Sequence, residues 1–464
     1  MQNTPATADT IAALSTPPGQ AGIGIVRISG PLAKDIAGRL FRAKHPPMAW
    51  KSHHMTLGRL VDPETGAMVD EVLLAYMKAP HSYTREDVVE INTHSGFALV
   101  ERILRMVLNA GARPALPGEF TFRAFLNGRI DLTQAEAVMD LIQAKSERGV
   151  ELASSQLCGR MRERVESVRG AALDILAHTE VGIDYPDETN DVSSGVNASS
   201  RLVREVIAPL NEIRDAYAQR RFWADGVKTA IVGRVNTGKS SLLNRLAEEE
   251  RAIVTEVPGT TRDVIEALIH VDGLPIRLLD TAGYRTPKGE VERIGVKRTD
   301  QTLQGASLAL VVVDRSRSLE DEDLRILQRC EHIPALIVLN KSDLPDRIGL
   351  EKLRSAFADR MTASVSALTG EGMEGLRRSI RNAVLDDSSG TMEPEFLPTA
   401  RQTRSLEEAV GWFEQASKHF HAEMPLEIVS VDLNSGLDAL AEITGERTTE
   451  ETLDRIFQTF CLGK

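Results

Sequence analysis

The loop GRVNTGKS, Gly233 to Ser240, joins a short apolar run at 229–232 to a helical pattern at 241–246. Gly233, Gly238, Lys239 and Ser240 carry the spacing G-x-x-x-x-G-K-S. Between a strand and a helix, such a loop turns its backbone N–H groups inward at the helix start. That lining suits phosphate oxygens, contributed here by Asn236, Thr237, Gly238, Lys239, Ser240 and Ser241. Lys239 adds a cation that acts on the reacting phosphates, and the Ser240 hydroxyl is placed for Mg²⁺. With glycine near 7% of residues, the four positions arise by chance in about one chain in fifty of this length. The strand–loop–helix setting makes chance a poorer account still.

Around this loop the pattern is that of an α/β sheet. Apolar runs at 230–233, 264–270, 275–280, 308–314, 335–340 and 363–366 alternate with helical stretches. At 464 residues the chain exceeds one core. Residues 1–117 alternate β-rich runs (24–28, 72–76, 88–92) with one helix at 97–109 and read as a compact α+β domain. Residues 118–222 switch to 3.6-residue periodicity, with a T-x-x-E capping box at Thr133 and Glu136 opening a helix. The α/β domain occupies 223–384. An acidic Ser/Gly/Pro-rich linker at 386–398 leads into a second helical part, within 385–464. Neither helical piece shows signs of closing its own core, so the expected layout is multidomain: an α+β amino-terminal domain, then an all-α domain with an α/β P-loop domain inserted into it.

Four further stretches follow the loop in an order that suits a guanine nucleotide. DTAG (Asp280, Thr281, Ala282, Gly283) ends an apolar run, putting Asp280 near Mg²⁺ and the Gly283 N–H near a γ-phosphate. GTTRD offers Thr261 as a second Mg²⁺ hydroxyl. NKSD (Asn340, Lys341, Ser342, Asp343) closes another run, and the Asp343 carboxylate can accept from both N1–H and N2–H₂ of guanine. Adenine lacks both donors and would leave a desolvated carboxylate at a cost of about 1–3 kcal/mol. SAL, with Ser366 and Ala367, supplies backbone N–H for the guanine carbonyl. Each tetrapeptide alone is an ordinary turn at a strand end; the ordered set points to GTP. Tyr284 stands where many small GTPases place a water-orienting glutamine. Glu290 and Glu292 are the nearby acidic candidates for that task, the alternative being solvated helix residues paired with Arg293 or Lys297. No arginine is visibly placed as a finger.

Several stretches, TPPGQAGIGIVRISG, SYTREDVVEINTHSG, PGEFTFRAFLNGRIDLTQAEAVMDLI, TEVPGTTRD, EVERIGVKR and the terminal CLGK, resemble the tRNA modification GTPases of the MnmE (TrmE) family over essentially the whole chain. The resemblance implies a K⁺ ion in place of an arginine finger, held by Asn236 with oxygens from Thr255, Val257 and Thr260. It lays Thr255, Glu256, Val257, Pro258, Gly259, Thr260 and Thr261 against the GTP and makes Glu292 the water-orienting catalytic residue. Val235 replaces a usual proline, which touches loop stiffness and leaves Asn236 in place. The amino-terminal domain resembles a dimerising module that binds a 5-formyltetrahydrofolate-type folate. The matching contacts are Arg27, Glu90 and Lys464, with Arg129 where the family often has lysine. The resemblance further implies a homodimer and an FAD-dependent partner of the MnmG (GidA) type in a heterotetramer. Together they act on tRNA, adding a carboxymethylaminomethyl or aminomethyl group at C5 of the wobble uridine. A rival reading is a regulatory switch GTPase that binds RNA or ribosomal particles and modifies nothing; the nucleotide motifs are shared by both.

Composition narrows the rest. The net charge of −12 opposes a bare polyanion, so RNA would be met by a local basic patch or a partner. Cys158, Cys330 and Cys461 lie far apart with no C-x-x-C pair, against a disulfide framework or zinc site. No export signal or 18-residue apolar run is seen, so no membrane span and a cytoplasmic setting are expected. His53, His54 and His94 lack ligand spacing. The arginines of RMRERVESVR read as a solvated helix face, with tRNA contact as the other possibility. A T-x-x-E box at Thr448 and Glu451 suggests a helix ending near Phe460. Cys461 would then sit at its negative end, which disfavours a thiolate and leaves nucleophile and structural or folate-side roles both open.

Overall fold

In a computed structural model of the chain, residues 9–44, 50–185, 193–224, 226–249, 267–279, 303, 305–348, 360–385 and 395–464 are described. The first third carries β1 (Ile11–Leu14), β2 (Ala21–Ser29), α1 (Ala33–Leu40), β3 (Phe41–Ala43), β4 (His54–Val61), β5 (Met68–Met77), β6 (Val88–Ser95), α2 (Phe97–Asn109) and β7 (Arg113–Pro114). The strands form a seven-stranded sheet in the order β3-β4-β5-β6-β2-β1-β7. Alternation decides what each face carries. Val26 and Ile28 of β2 join Leu74, Val89 and Ile91 in the core that also holds Ile36 and Ile103 from α1 and α2. The intervening residue Arg27 pairs in register with Glu90, so both stand on the other face. There Ile11, Ala13, Ala115 and Phe120 make a smaller apolar layer with Tyr83.

Helices follow: α3 (Glu119–Leu126), α4 (Leu132–Gln143), α5 (Glu147–Leu157), α6 (Arg160–Asp184), α7 (Ser193–Leu202), a π-helical turn at Val203–Ile207, α8 (Ala208–Asp215) and α9 (Tyr217–Trp223). The start of α4 departs from the Thr133/Glu136 expectation. Asp131 caps it instead: its Oδ1 accepts from the Gln134 N–H at 2.9 Å and from the Thr133 hydroxyl at 2.6 Å. The Gln134 side chain in turn accepts from the Asp131 N–H at 3.0 Å. The reciprocal box is real but lies two residues earlier, because aspartate accepts as readily as threonine and glutamine can replace glutamate.

The inserted sheet is built from β8 (Val227–Val232), α10 (Lys239–Glu249), β9 (Ala267–Val271), β10 (Leu274–Leu279), β11 (Leu308–Asp314), α11 (Asp321–Arg329), β12 (Ala335–Asn340), β13 (Thr362–Val365) and α12 (Met373–Leu385). Its order is β13-β12-β11-β8-β10-β9, parallel except where β9 meets β10. All of β11 is buried, as a central parallel strand covered on both faces requires. The chain closes with α13 (Ala400–His421), α14 (Leu426–Thr444) and α15 (Glu450–Phe457). Here too a cap shifts. Thr449, not Thr448, opens α15 by accepting from the Thr452 N–H, and the helix stops at Phe457 rather than near Phe460.

Two compact units result: Met1–Met139 with Gln156–Leu210 and Arg404–Lys464, and Asp140–Ser155 with Asn211–Thr403. In the first, helices from both sides of the insertion share packing, as the sequence led us to expect of an interrupted helical domain. α6 lies along α14, and Ser199 and Ser417 hydrogen-bond at 2.8 Å. Phe457 and Phe460 pack with Leu132 and Met139 of α4. In the second unit, Leu152 of α5 and Leu397 join the sheet core of Val227, Ile276 and Leu278. Leu397 thereby corrects the linker reading at its end, since its apolar side chain is packed rather than solvated; residues 386–394 lie outside the described residues. Among the described residues no helix is long and apolar enough to cross a membrane.

Candidate functional site

The parallel strands β8, β11, β12 and β13 end on one edge of the second sheet, and the loops leaving that edge gather the phosphate and base motifs, the usual ligand position of such sheets. A Cβ on Gly233 would stand 2.3 Å from the Val312 carbonyl oxygen, and one on Gly238 would stand 2.2 Å from Asn340 Nδ2. Only glycine allows that approach, so the loop is a backbone-lined cradle of the kind phosphates occupy. Lys239, the first residue of α10, donates from Nζ to the carbonyls of Gly233 at 2.7 Å and Arg234 at 2.6 Å. Burial depresses its pKa, with the Glu322 carboxylate opposing; phosphate oxygens nearby would favour the charged form. Thr237 Oγ1 donates to the Arg234 carbonyl at 3.0 Å. Ser240 and Ser241 follow exposed at the helix start. Asn236 has φ +65°, a left-handed conformation asparagine tolerates better than most.

Asn340 ties the phosphate loop to the base side. Its buried amide donates to the Thr237 carbonyl at 2.8 Å while its Oδ1 accepts from the Ala367 N–H at 3.0 Å. Ser366 Oγ donates to Asp343 Oδ1 at 2.5 Å, orienting that carboxylate. Lys341 Nζ reaches the Asn236 carbonyl at 3.0 Å. Asn236, Thr237, Gly238, Lys239, Ser240, Ser241, Asn340, Lys341, Asp343, Ser366 and Ala367 are thus brought to one edge. Thr255, Glu256, Val257, Pro258, Gly259, Thr260, Thr261, Asp280, Thr281, Ala282, Gly283, Tyr284, Glu290 and Glu292 lie outside the described residues.

Two participants escaped sequence reasoning. Arg234, inside the loop, is held by three carboxylates of the α11 start: Glu320 at 2.7 Å, and Glu322 and Asp323 at 3.3 Å. Burial lowers its pKa and the carboxylates more than offset that, so it stays above the ordinary arginine value. Asp314, ending β11, binds Lys341 at 2.5 Å. Its signal was visible as the acidic end of the run LALVVVD.

A second cluster forms on the far face of the first sheet. Arg27 pairs with Glu90 at 2.8 Å, so the salt bridge that two neighbouring strand residues would make in any sheet is present. The Arg27 guanidinium lies 5.6 Å from the ring centres of both Tyr83 and Phe120, and that of Arg129 lies 4.8 Å from Tyr83. The chain end joins them. Arg27 Nη1 donates to the Gly463 carbonyl at 3.3 Å and Ser15 Oγ donates to the same oxygen at 3.1 Å. Lys464 follows, its N–H donating to the Cys461 carbonyl at 3.3 Å. Cys461 and Cys158 are exposed free thiols and Cys330 is buried, its thiol pKa pushed up by burial. His53, His54 and His94 are exposed. His94 pairs with Asp70 at 2.8 Å, and among the described residues no metal-holding cluster of His, Cys, Asp or Glu occurs. Arg160 and Arg169 on α6 pair with Glu163 and Glu446, a solvated face.

A loop that admits only glycine, coupled through one buried amide to an N-K-x-D strand end, places the inserted unit among the P-loop GTPases. Comparison with known proteins narrows this. The family model described as MnmE helical domain matches residues 132–461, and that described as GTP-binding protein TrmE N-terminus matches residues 10–129. A tRNA modification GTPase MnmE from Alkaliphilus oremlandii (strain OhILAs) is 44% identical over 459 residues, covering 98% of this chain and 99% of the relative. One from Natranaerobius thermophilus is 42% identical over 458 residues, covering 99% and 100%. The chain belongs to the MnmE family of tRNA modification GTPases.

Proposed function

We propose that this tRNA-modification GTPase turns over GTP with a K⁺ ion and Mg²⁺. It would act as a cytoplasmic homodimer with an FAD-dependent partner of the MnmG type, adding an aminomethyl-type group at C5 of the wobble uridine of tRNA. The observation that carries the nucleotide part is the Asn340 bridge, which links phosphate loop and base loop, so that a guanine held by Asp343 would have its phosphates near the Gly233–Ser240 cradle. Lys239 neutralises phosphate charge there, Ser240 and Thr261 offer hydroxyls to Mg²⁺, and Glu292 orients water for attack. The cation part is supported by Arg234. Three carboxylates occupy its guanidinium, so the loop's own arginine is not free to serve as a finger. Asn236, with Thr255, Val257 and Thr260, would hold K⁺, and when bound a monovalent cation supplies transition-state charge stabilisation. The Arg27–Glu90–Tyr83–Arg129 cluster, with Lys464 beside it, suits a flat, partly anionic ligand such as a 5-formyltetrahydrofolate-type one-carbon carrier.

Turnover of GTP measured in matched K⁺ and Na⁺ buffers is expected to be higher in K⁺, and Asn236→Ala to remove the difference; equal rates in the two salts for the natural chain would refute the cation assignment. Glu292→Ala is expected to lower kcat by about 10² with GTP affinity nearly unchanged. Wobble-uridine nucleosides from cells with and without the protein separate the modification enzyme from a switch GTPase, which would leave them identical.

A further inference from the structure

Two residues at the nucleotide edge are non-glycines in the left-handed region, Asn236 at φ +65° and Lys341 at φ +67°, and they touch: the Lys341 ammonium donates to the Asn236 carbonyl at 3.0 Å. Such conformations cost free energy and persist only where the surroundings over-determine them. The Lys341 ammonium is also paired with Asp314. Its two carboxylate oxygens divide their work. Oδ1 closes the local turn, accepting from the Ser316 N–H at 3.0 Å and the Ser316 hydroxyl at 2.6 Å. Oδ2 accepts from Lys341 Nζ at 2.5 Å, with Arg317 further off at 3.7 Å. The carboxylate is nearly fully buried at the end of β11, beside β12, whose end leads into Lys341. Burial pushes its pKa up, and the hydrogen bonds from Lys341 and Ser316 together with the lysine charge hold it below the ordinary carboxylate value. A turn alone needs one acceptor oxygen; the second is aimed at the lysine.

We propose that Asp314 is a positioning residue of the GTPase site: by anchoring Lys341 under the Asn236 carbonyl, it fixes the left-handed turn of the phosphate loop from which Asn236 and the cradle N–H groups are presented. The inference rests on the reading that this edge binds guanine nucleotide. In this role Asp314 acts on the phosphate loop through Lys341. Asp314→Asn separates its two tasks, because the amide oxygen keeps the turn while the amide donors face an ammonium that needs an acceptor.

The test is a titration of the full-length chain with a fluorescent GDP analogue, for the natural sequence, Asp314→Asn, Lys341→Met and the double variant. Asp314→Ser serves as a second uncharged form should the asparagine fold poorly. Asp314→Asn is expected to weaken binding about tenfold, as loss of a charge-assisted anchor implies. The double variant is expected to bind no worse than Lys341→Met, since one path carries both effects. A merely structural aspartate would instead give additive losses. Unchanged affinity in Asp314→Asn, or additivity in the double variant, overturns the proposal while leaving the GTP reading intact. Absence of binding by the natural chain overturns both.

Discussion

A methyl group on Gly463 would lie 2.2 Å from the Leu14 carbonyl oxygen, and the residue already has φ +88°. Both facts demand glycine. The carbonyl of that glycine meets Arg27, so the residue that ends the chain's docking also sets where Cys461 and Lys464 stand. Gly463→Ala should release the tail at a cost of about 1–3 kcal/mol. Carboxypeptidase would then remove Lys464 markedly faster than from the natural chain; equal rates would mean the tail is not held by this contact. Cys461 follows α15 after a short turn and is exposed, outside the helix rather than at its end. The pair Arg27 and Glu90 was legible as two strand residues. Their register, and the second arginine over Tyr83, were not, because pairing across strands 63 residues apart depends on the whole sheet.

Among elements, the phosphate-loop strand and helix, the long helix α2 and every strand described in the inserted sheet follow from periodicity and turn chemistry. Boundaries of helices were less secure, and the reason is chemical. Capping is an acceptor function that several residues share, so T-x-x-E patterns at Thr133 and Thr448 competed with Asp131 and Thr449 a residue or two away. At α4 the test is direct: Asp131→Ala should cost about 1 kcal/mol in urea unfolding, while Asp131→Asn, which keeps the acceptor, should cost a few tenths. Equal losses in the two variants would place the stabilisation elsewhere, for example in the longer-range approach of Arg162 at 3.8 Å.

At the scale of the molecule, a buried ionic network welds the amino-terminal sheet to α3. Arg123, 1% exposed, reaches Asp9, Glu86 and Glu119, and Arg113 reaches Asp9 and Glu119 as well. Burial pushes the Glu119 carboxyl up, but hydrogen bonds from Arg113, the Leu116 N–H and Arg123 hold it below the usual range; Asp9 is held low by the same two arginines against its own burial. A depressed folded pKa means stability that is complete above the unfolded carboxylate value near about 4 and lost as pH falls through the folded one. The melting temperature should therefore be flat above about pH 5 and fall below about pH 4. Glu119→Gln should lower stability by about 3–5 kcal/mol at neutral pH and shallow the acid limb. An unchanged acid limb would assign it to other carboxylates.

Periodicity, glycine spacing and strand-end motifs by themselves determined the inserted α/β sheet, its phosphate loop and its guanine-type base motifs, because each is encoded within a few neighbouring residues whose geometry is local. Tertiary structure alone decided which charges meet. It gave Arg234 to the acidic start of α11, Lys341 to Asp314, and Arg27 to a carbonyl 436 positions along the chain. Those partners are chosen by how sheets and helices pack, and a charged side chain reads the same in sequence whether water or a buried carboxylate surrounds it.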